Sequence, residues 1–281
     1  MTRRSALPGF GLTLGITLTW VSLIVLIPLA ALMLRPWELG FAGFWASVTE
    51  PRVLAALQLS FGAAALAAAV NVPLGLLIAW VMVRYRFPGR RIADAVIDMP
   101  LALPTAVAGI ALTALFAPKG WLGEALAPLG IKVAYTPLGV LMALIFVGLP
   151  FVVRIVEPVI QDLPVDAEEA AAVLGATRFQ TLRRVVLPAL APALLTGFGA
   201  ALARGVGEYG SVIFIAGNRP MVSEIAPLLI VIRLEQLNYA GAASLGLAML
   251  AISFAILLTI NRLQRRMARP PDGPPRRTHG R

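Results

Sequence analysis

The chain contains an uncharged stretch of 21 residues, Val133–Val153, which reads VAYTPLGVLMALIFVGLPFVV. The hydrocarbon core of a bilayer is about 30 Å thick, and a helix needs about 20 consecutive apolar residues to cross it. A segment in lipid must also satisfy its own backbone hydrogen bonds, which a helix does. The stretch therefore predicts a membrane-spanning helix.

Three further stretches carry no charge and are long enough to cross a bilayer: Phe10–Leu34, Val53–Val83 and Tyr239–Asn261. A fifth, Met99–Pro118, is just long enough. A sixth lies within Pro188–Ala216, where Arg204 and Glu208 interrupt the apolar run. We therefore predict an all-α membrane protein with six transmembrane helices.

The composition agrees with a membrane protein and excludes several kinds of chemistry. Hydrophobic residues make up 59% of the chain and charged residues 14%, with a mean hydropathy of +0.84, whereas soluble domains average about 25% charged residues. The chain has no cysteine, and its one histidine, His279, lies near the end. Neither lysine, Lys119 or Lys132, follows a glycine. We therefore expect no metal site, no cofactor site and no phosphate-binding loop.

Basic residues fall mostly on one side of the predicted membrane. With six spans both termini lie on that side, which carries 17 of the 24 basic residues, against six on the other. Because positive charge collects on cytoplasmic loops, both termini are predicted to be cytoplasmic. The net charge of +10 therefore reflects topology, and we expect no nucleic acid partner.

The first apolar stretch has an alternative interpretation as a secretory signal that starts at Arg3 and Arg4. A signal core is about 7–15 residues long, and the uncharged run Phe10–Leu34 is longer. A retained first helix is therefore the favoured interpretation.

The cytoplasmic segment between the fourth and fifth spans predicts two short helices joined by a tight turn. Asp166, three residues before Glu169, is a candidate N-cap. Gly175 can end the first helix in a left-handed conformation. Thr177, with Gln180 three residues on, can open the second. A surface hairpin with no partner is one interpretation of this segment, and a rigid elbow that docks on another protein is the other.

Spaced positions in this segment resemble the EAA loop of ATP-binding-cassette (ABC) importer permeases: Glu169-Ala170-Ala171, Gly175, and Val185-x-Leu187-Pro188. Other stretches resemble the oxyanion branch of these permeases: Tyr85–Arg90, Leu103–Gly109 and Gly207–Asn218. Two more resemble the T-type permease of sulfate and thiosulfate importers: Glu224–Gly241 and Leu7–Phe10.

The resemblance implies the type I permease fold and a bacterial inner-membrane location. It also implies several partners: a second, W-type permease subunit, a dimer of ATP-binding subunits that hold ATP and Mg²⁺, and a periplasmic or tethered sulfate-binding protein. The chain itself would then be a permease and not an enzyme. Residues of the coupling elbow implied by the resemblance are Glu169, Ala170, Ala171 and Gly175, with Arg178 as a weaker candidate.

Arg204 and Glu208 are four residues apart, so that on one helix they would share a face and pair. Charge at the centre of a bilayer is costly, so such a pair must face protein or water. The pair could line the pathway and lower the barrier for a divalent oxyanion, or it could brace a contact between permeases. Both interpretations stay open.

The sequence thus predicts three regions: residues 1–52 with the first helix, a permease core at 53–263, and a disordered basic cytoplasmic tail at 264–281. The resemblance implies that the function is ATP-driven import of sulfate and thiosulfate. Molybdate or tungstate import is the nearest alternative, since these are also tetrahedral dianions. A proton-driven secondary transporter is disfavoured because such carriers usually keep several titratable groups within their spans.

Overall fold

A computed structural model describes residues 10–267, and within that range the chain is helical with no β-strand. The predicted features at Arg3, Arg4, Leu7–Gly9, His279 and the tail beyond Met267 lie outside the described residues. The helices, in chain order, are α1 Phe10–Val21, α2 Ile27–Leu34, α3 Gly40–Val48, α4 Pro51–Arg84, α5 Arg90–Ala102, α6 Thr105–Phe116, α7 Trp121–Leu126, α8 Pro137–Gln161, α9 Val165–Val173, α10 Arg178–Thr181, α11 Leu187–Val206, α12 Val212–Ile215, α13 Ala226–Glu235 and α14 Tyr239–Met267.

The number of spans agrees with the prediction. Five helical stretches among the described residues are long and apolar enough to cross a membrane, and a bent pair of helices gives the sixth if the pair is counted as one broken span. The first stretch runs from Phe10 to Val48, because π-helical and 3₁₀ turns join α1, α2 and α3. Its most apolar part is not buried within the chain, so this helix faces lipid or another subunit.

Helices α4, α8 and α11 form the core, and small residues let them approach closely. A Cβ on Gly75 would lie 2.7 Å from Cγ1 of Val152, and one on Gly205 would lie 3.2 Å from Cβ of Ala64. Val152 itself is fully buried. Close helix packing through small residues is the usual device in membranes.

The third span is not the continuous helix that was predicted over Met99–Pro118. Helices α5 and α6 meet at an angle of 111°. Leu103, the residue before Pro104, has an extended ψ of 138°, because the proline ring disfavours a helical conformation in its predecessor. At about 1.5 Å per residue, the 12 residues of α6 extend roughly 18 Å, which is too short to cross a bilayer.

The fifth span also differs from the predicted range of Pro188–Ala216. The helical stretch begins at Arg178 and ends at Val206, with Gly207 as its last cap. The chain then leaves the helix for the segment Gly207–Ser211 before the short helix α12. Glu208 therefore lies beyond the helix that carries Arg204.

Candidate functional site

The segment between α8 and α11 forms a helical elbow, defined here as residues 165–181. Helix α9 ends in a Schellman motif, in which the Gly175 amide donates to the Ala172 carbonyl and the Ala176 amide to the Ala171 carbonyl, each at 3.0 Å. Gly175 has a φ of +78°. This is the left-handed conformation that the sequence predicted, and it fixes the angle of the turn.

The second helix of the elbow opens with the predicted capping box. The Thr177 amide donates to Oε1 of Gln180 at 2.8 Å, and the Gln180 amide donates to Oγ1 of Thr177 at 3.3 Å. The predicted cap at Asp166 is wrong, because Pro164 holds the N-cap position of α9 without a side-chain hydrogen bond. Asp166 lies in the first turn instead, where a carboxylate interacts favourably with the helix dipole.

The predicted coupling residues lie on the outside of this elbow. Glu169, Ala170, Gly175 and Arg178 are exposed and Ala171 is half-buried. The elbow also exposes an apolar patch that the sequence reasoning missed: Val173 and Leu174 are each 87% exposed and Phe179 is 69% exposed. Large apolar side chains grouped on a polar surface mark a contact with another protein or with the membrane. These residues lie on either side of Gly175 in the sequence, and this position next to a predicted turn could have indicated that they are exposed.

An ion pair fastens the elbow to the second span. Nη2 of Arg84, the last residue of α4, lies 2.6 Å from Oε1 of Glu168 in α9. The same guanidinium lies 5.2 Å from the ring centroid of Trp80, so it has a cation–π contact as well. The elbow therefore moves with the end of α4 and not as a free loop.

Arg204 and Glu208 pair as predicted, with 2.5 Å between Nη1 and Oε2. The pairing was predicted because residues four apart on one helix share a face. That reason is wrong, since the helix ends at Val206, between the two residues. The Glu208 side chain is 1% exposed, whereas that of Arg204 is 31% exposed. Oε1 of Glu208 accepts hydrogen bonds from the backbone amide and the hydroxyl of Ser211, each at 2.9 Å. The buried carboxylate thus holds the end of the fifth span together and leaves one face of Arg204 accessible.

The break in the third span packs on this same segment. A Cβ on Gly109 would lie 2.4 Å from the carbonyl oxygen of Ser211, and one on Gly210 would lie 2.1 Å from Oγ1 of Thr105. At Gly109 backbone therefore touches the backbone of Ser211, and at Gly210 backbone touches the side chain of Thr105. The end of the fifth span and the start of α6 meet beside the Arg204–Glu208 pair.

Ion pairs at the end of the molecule remote from the elbow were not predicted from sequence. Arg52 at the start of α4 makes two hydrogen bonds to Glu224, at 2.8 and 2.7 Å. Arg233 in α13 bonds Glu50 at 2.7 Å and the Gly241 carbonyl at 2.8 Å. These bonds tie the segment around α13 to the junction between α3 and α4. No cluster of metal-ligating side chains occurs among residues 10–267.

Multiple apolar spans around a close-packed core, with a helical elbow between the fourth and fifth, define the class of multi-pass transport permeases. Residues 71–269 match the family described as "Binding-protein-dependent transport system inner membrane component". The chain belongs to this family. It is therefore a multi-pass permease of the inner membrane.

Curated relatives cover almost the whole chain. A protein of Salmonella typhimurium described as "Sulfate transport system permease protein CysT" is 47% identical over 269 residues, which is 96% of this chain and 97% of the relative. A protein of Synechococcus elongatus with the same description is 48% identical over 248 residues, covering 88% of this chain and 89% of the relative. The predicted resemblance to sulfate permeases is confirmed.

Solved structures support the fold. A chain from the "Crystal structure of bacterial alginate ABC transporter in complex with alginate pentasaccharide-bound periplasmic protein" superposes with a TM-score of 0.76 over 94% of this chain and 96% of that chain, at 18% identity. A chain from the inward-facing MetNI methionine ABC transporter has a TM-score of 0.57, covering 76% of this chain and 95% of that chain, at 18% identity. The predicted ABC importer permease fold is therefore confirmed.

Proposed function

We propose that this chain forms half of the membrane pathway of an ATP-driven importer of sulfate and thiosulfate. The observation that carries the proposal is the near full-length similarity to proteins described as sulfate transport permeases. Neither lysine of the chain follows a glycine, so the sequence holds no Gly-Lys-Ser/Thr phosphate loop, and the proposal assigns ATP hydrolysis to a partner subunit.

The elbow docks on a partner ATPase in this proposal, and that partner binds ATP and Mg²⁺. The exposed patch of Val173, Leu174 and Phe179 supports it, because the patch stands next to the predicted coupling residues Glu169 and Gly175. Arg178 is exposed on the same elbow and supplies a polar contact. The complete machine has two ATPase subunits, a W-type second permease and a sulfate-binding protein on the outer side. Both termini of this chain are cytoplasmic.

Arg204 lines the anion pathway in this proposal, and Glu208 restrains it. Arg204 keeps 31% of its side chain accessible while Glu208 is buried, so only the cation can meet a passing ion. A cation that is partly neutralised attracts a divalent oxyanion and still releases it. The alternative role of the pair is to brace a contact between the two permeases. Sulfate uptake by the double variant Arg204→Gln/Glu208→Gln distinguishes the two roles.

Uptake of radiolabelled sulfate by cells that lack this gene tests the proposal. Wild-type chain should restore uptake, and excess thiosulfate should compete with it while molybdate should not. Gly175→Pro should fail to restore uptake, because proline fixes φ near −65° where the elbow needs +78°. Gly62→Ala is the matched control, since Gly62 has ordinary helical geometry and open space around its Cβ.

Three outcomes would change the conclusion. If wild-type chain restores molybdate uptake and not sulfate uptake, the machine is an importer of a different tetrahedral dianion. If uptake proceeds in cells depleted of ATP but collapses when the proton gradient is removed, the chain is a secondary transporter. Restoration by Gly175→Pro at the wild-type level would contradict the coupling role of the elbow.

A further inference from the structure

Four charged side chains from two helices meet around Arg154, and we call them the Arg154 cluster. Nε and Nη2 of Arg154 in α8 donate to the two carboxylate oxygens of Asp98 in α5, at 2.8 and 2.6 Å. Nη2 also lies 2.8 Å from Oδ1 of Asp94, and Nη1 donates to Oε2 of Glu157 at 2.8 Å. All three carboxylates therefore depend on one guanidinium.

The charges of the Arg154 cluster do not balance. Three carboxylates face one cation. Neighbouring carboxylates repel each other unless a cation lies between them. The planar guanidinium presents five donors in a rigid fork, whereas an ammonium presents three donors on a flexible stem. Without Arg154, two carboxylates of α5 would face Glu157 of α8, and the two helices would repel each other there.

The position of the Arg154 cluster is as informative as its charge. Arg154 lies seven residues, or roughly 10 Å, before the end of α8 at Gln161, and the elbow begins at Val165. On the other helix, Asp98 lies five residues before the break at Leu103. The cluster therefore joins the helix that leads into the elbow to the helix that leads into the break.

Direct contacts continue from the break to the intramembrane pair. Helix α6, which follows the break, touches Gly210 through Thr105 and Ser211 through Gly109. Ser211 in turn binds Glu208, the partner of Arg204. An unbroken series of contacts thus runs from the elbow through α8, the Arg154 cluster, α5 and α6 to Arg204.

We propose that Arg154 is a positioning residue that transmits displacement of the elbow to the broken third span. This inference rests on the proposed function, in which the elbow docks on an ATPase. When the ATPase moves the elbow, α8 moves with it, and the Arg154 cluster makes α5 follow. The break then changes its angle next to the Arg204–Glu208 pair. Packed helices joined by ion pairs transmit such shifts as rigid bodies.

The test uses the complete transporter in liposomes, with its second permease, ATPase subunits and binding protein, and measures sulfate uptake and ATP hydrolysis in the same sample. Arg154→Gln should lower the sulfate taken up per ATP hydrolysed by roughly tenfold, while hydrolysis itself stays within about twofold of wild type. Arg91→Gln is the matched control. It removes the same charge from an exposed position on α5 that makes no ion pair among residues 10–267, and it should change neither quantity.

The double variant Asp94→Asn/Asp98→Asn removes both ion pairs between α5 and Arg154 and leaves the Arg154–Glu157 pair in place. It should show the same fall in uptake per ATP, and it decides the matter if Arg154→Gln does not assemble. A wild-type ratio in the double variant, or in an assembled Arg154→Gln complex, would overturn the proposal. Failure of wild-type chain to take up sulfate would instead contradict the proposed function, and the ratio would then be measured with molybdate.

Discussion

The turn of the elbow offers the sharpest test of the coupling proposal, through a series of substitutions at Gly175. Its φ of +78° is in the left-handed region, and a Cβ built there meets no atom within 4 Å. A substitution at this position therefore causes no clash, and its whole cost comes from the backbone. Asparagine, alanine and valine should destabilise the turn in that order, because asparagine tolerates the left-handed region and β-branched residues do not.

The free-energy cost of each substitution at Gly175 follows from the backbone conformation alone. Placing a residue with a Cβ in the left-handed region costs about 1–2 kcal/mol. Such an amount changes the ratio of closed to open turn by a factor of about 5–30. The two hydrogen bonds that would open belong to the amides of Gly175 and Ala176. Asparagine should lie at or below the lower end of this range and valine at the upper end.

Hydrogen exchange of the residue 175 and Ala176 amides in the reconstituted transporter measures this opening directly. Sulfate uptake should fall in the same order as protection, since an elbow that opens cannot transmit displacement. Gly62→Ala supplies the control for exchange elsewhere in the chain. Equal exchange in the alanine, valine and wild-type chains would refute the argument from φ. Normal uptake with a deprotected turn would refute the argument that a rigid elbow is needed.

Three further predictions concern the contact between the end of the fifth span and α6. Arg204→Gln should lower the free energy of unfolding by about 3–5 kcal/mol, because it leaves the buried carboxylate of Glu208 without a counter-charge; thermal melting measures this. Arg204→Gln/Glu208→Gln should regain most of that stability yet take up little sulfate, and normal uptake by the double variant would favour the bracing role. Gly109→Ala should destabilise the chain by about 1–3 kcal/mol, because its Cβ would collide with the backbone of Ser211, and melting at the wild-type temperature would contradict that contact.

The spans could be predicted from sequence because length and absence of charge decide them. The break in the third span could not, since proline alone does not specify one in this chain. Pro73 lies inside α4 and Pro150 inside α8, and both helices continue through them. At Pro104 the chain bends by 111° because α6 has the Gly210–Ser211 segment to pack against. That contact depends on the tertiary fold.

Local sequence signals predicted part of the elbow's structure and missed its distant contacts. Gly175, Thr177 and Gln180 each act within a few residues of their own position, so their roles followed from spacing. The cap assigned to Asp166 failed because Pro164 already set the start of α9 two residues earlier. The sequence identifies Arg154 only as one of the 17 basic residues on the predicted cytoplasmic side. Its partner Asp98 is 56 residues away in the chain, and no local pattern connects them.

The shortness of α6 has a consequence for how the chain is made. A helix of about 18 Å cannot settle across a bilayer alone, and its packing surface includes Ser211, which is synthesised about 100 residues after Gly109. At about 5–20 residues per second, α6 waits roughly 5–20 s for that surface to emerge from the ribosome. During that interval α6 lacks this packing surface. We therefore expect chains stalled before residue 211 to be degraded faster than chains stalled after α12.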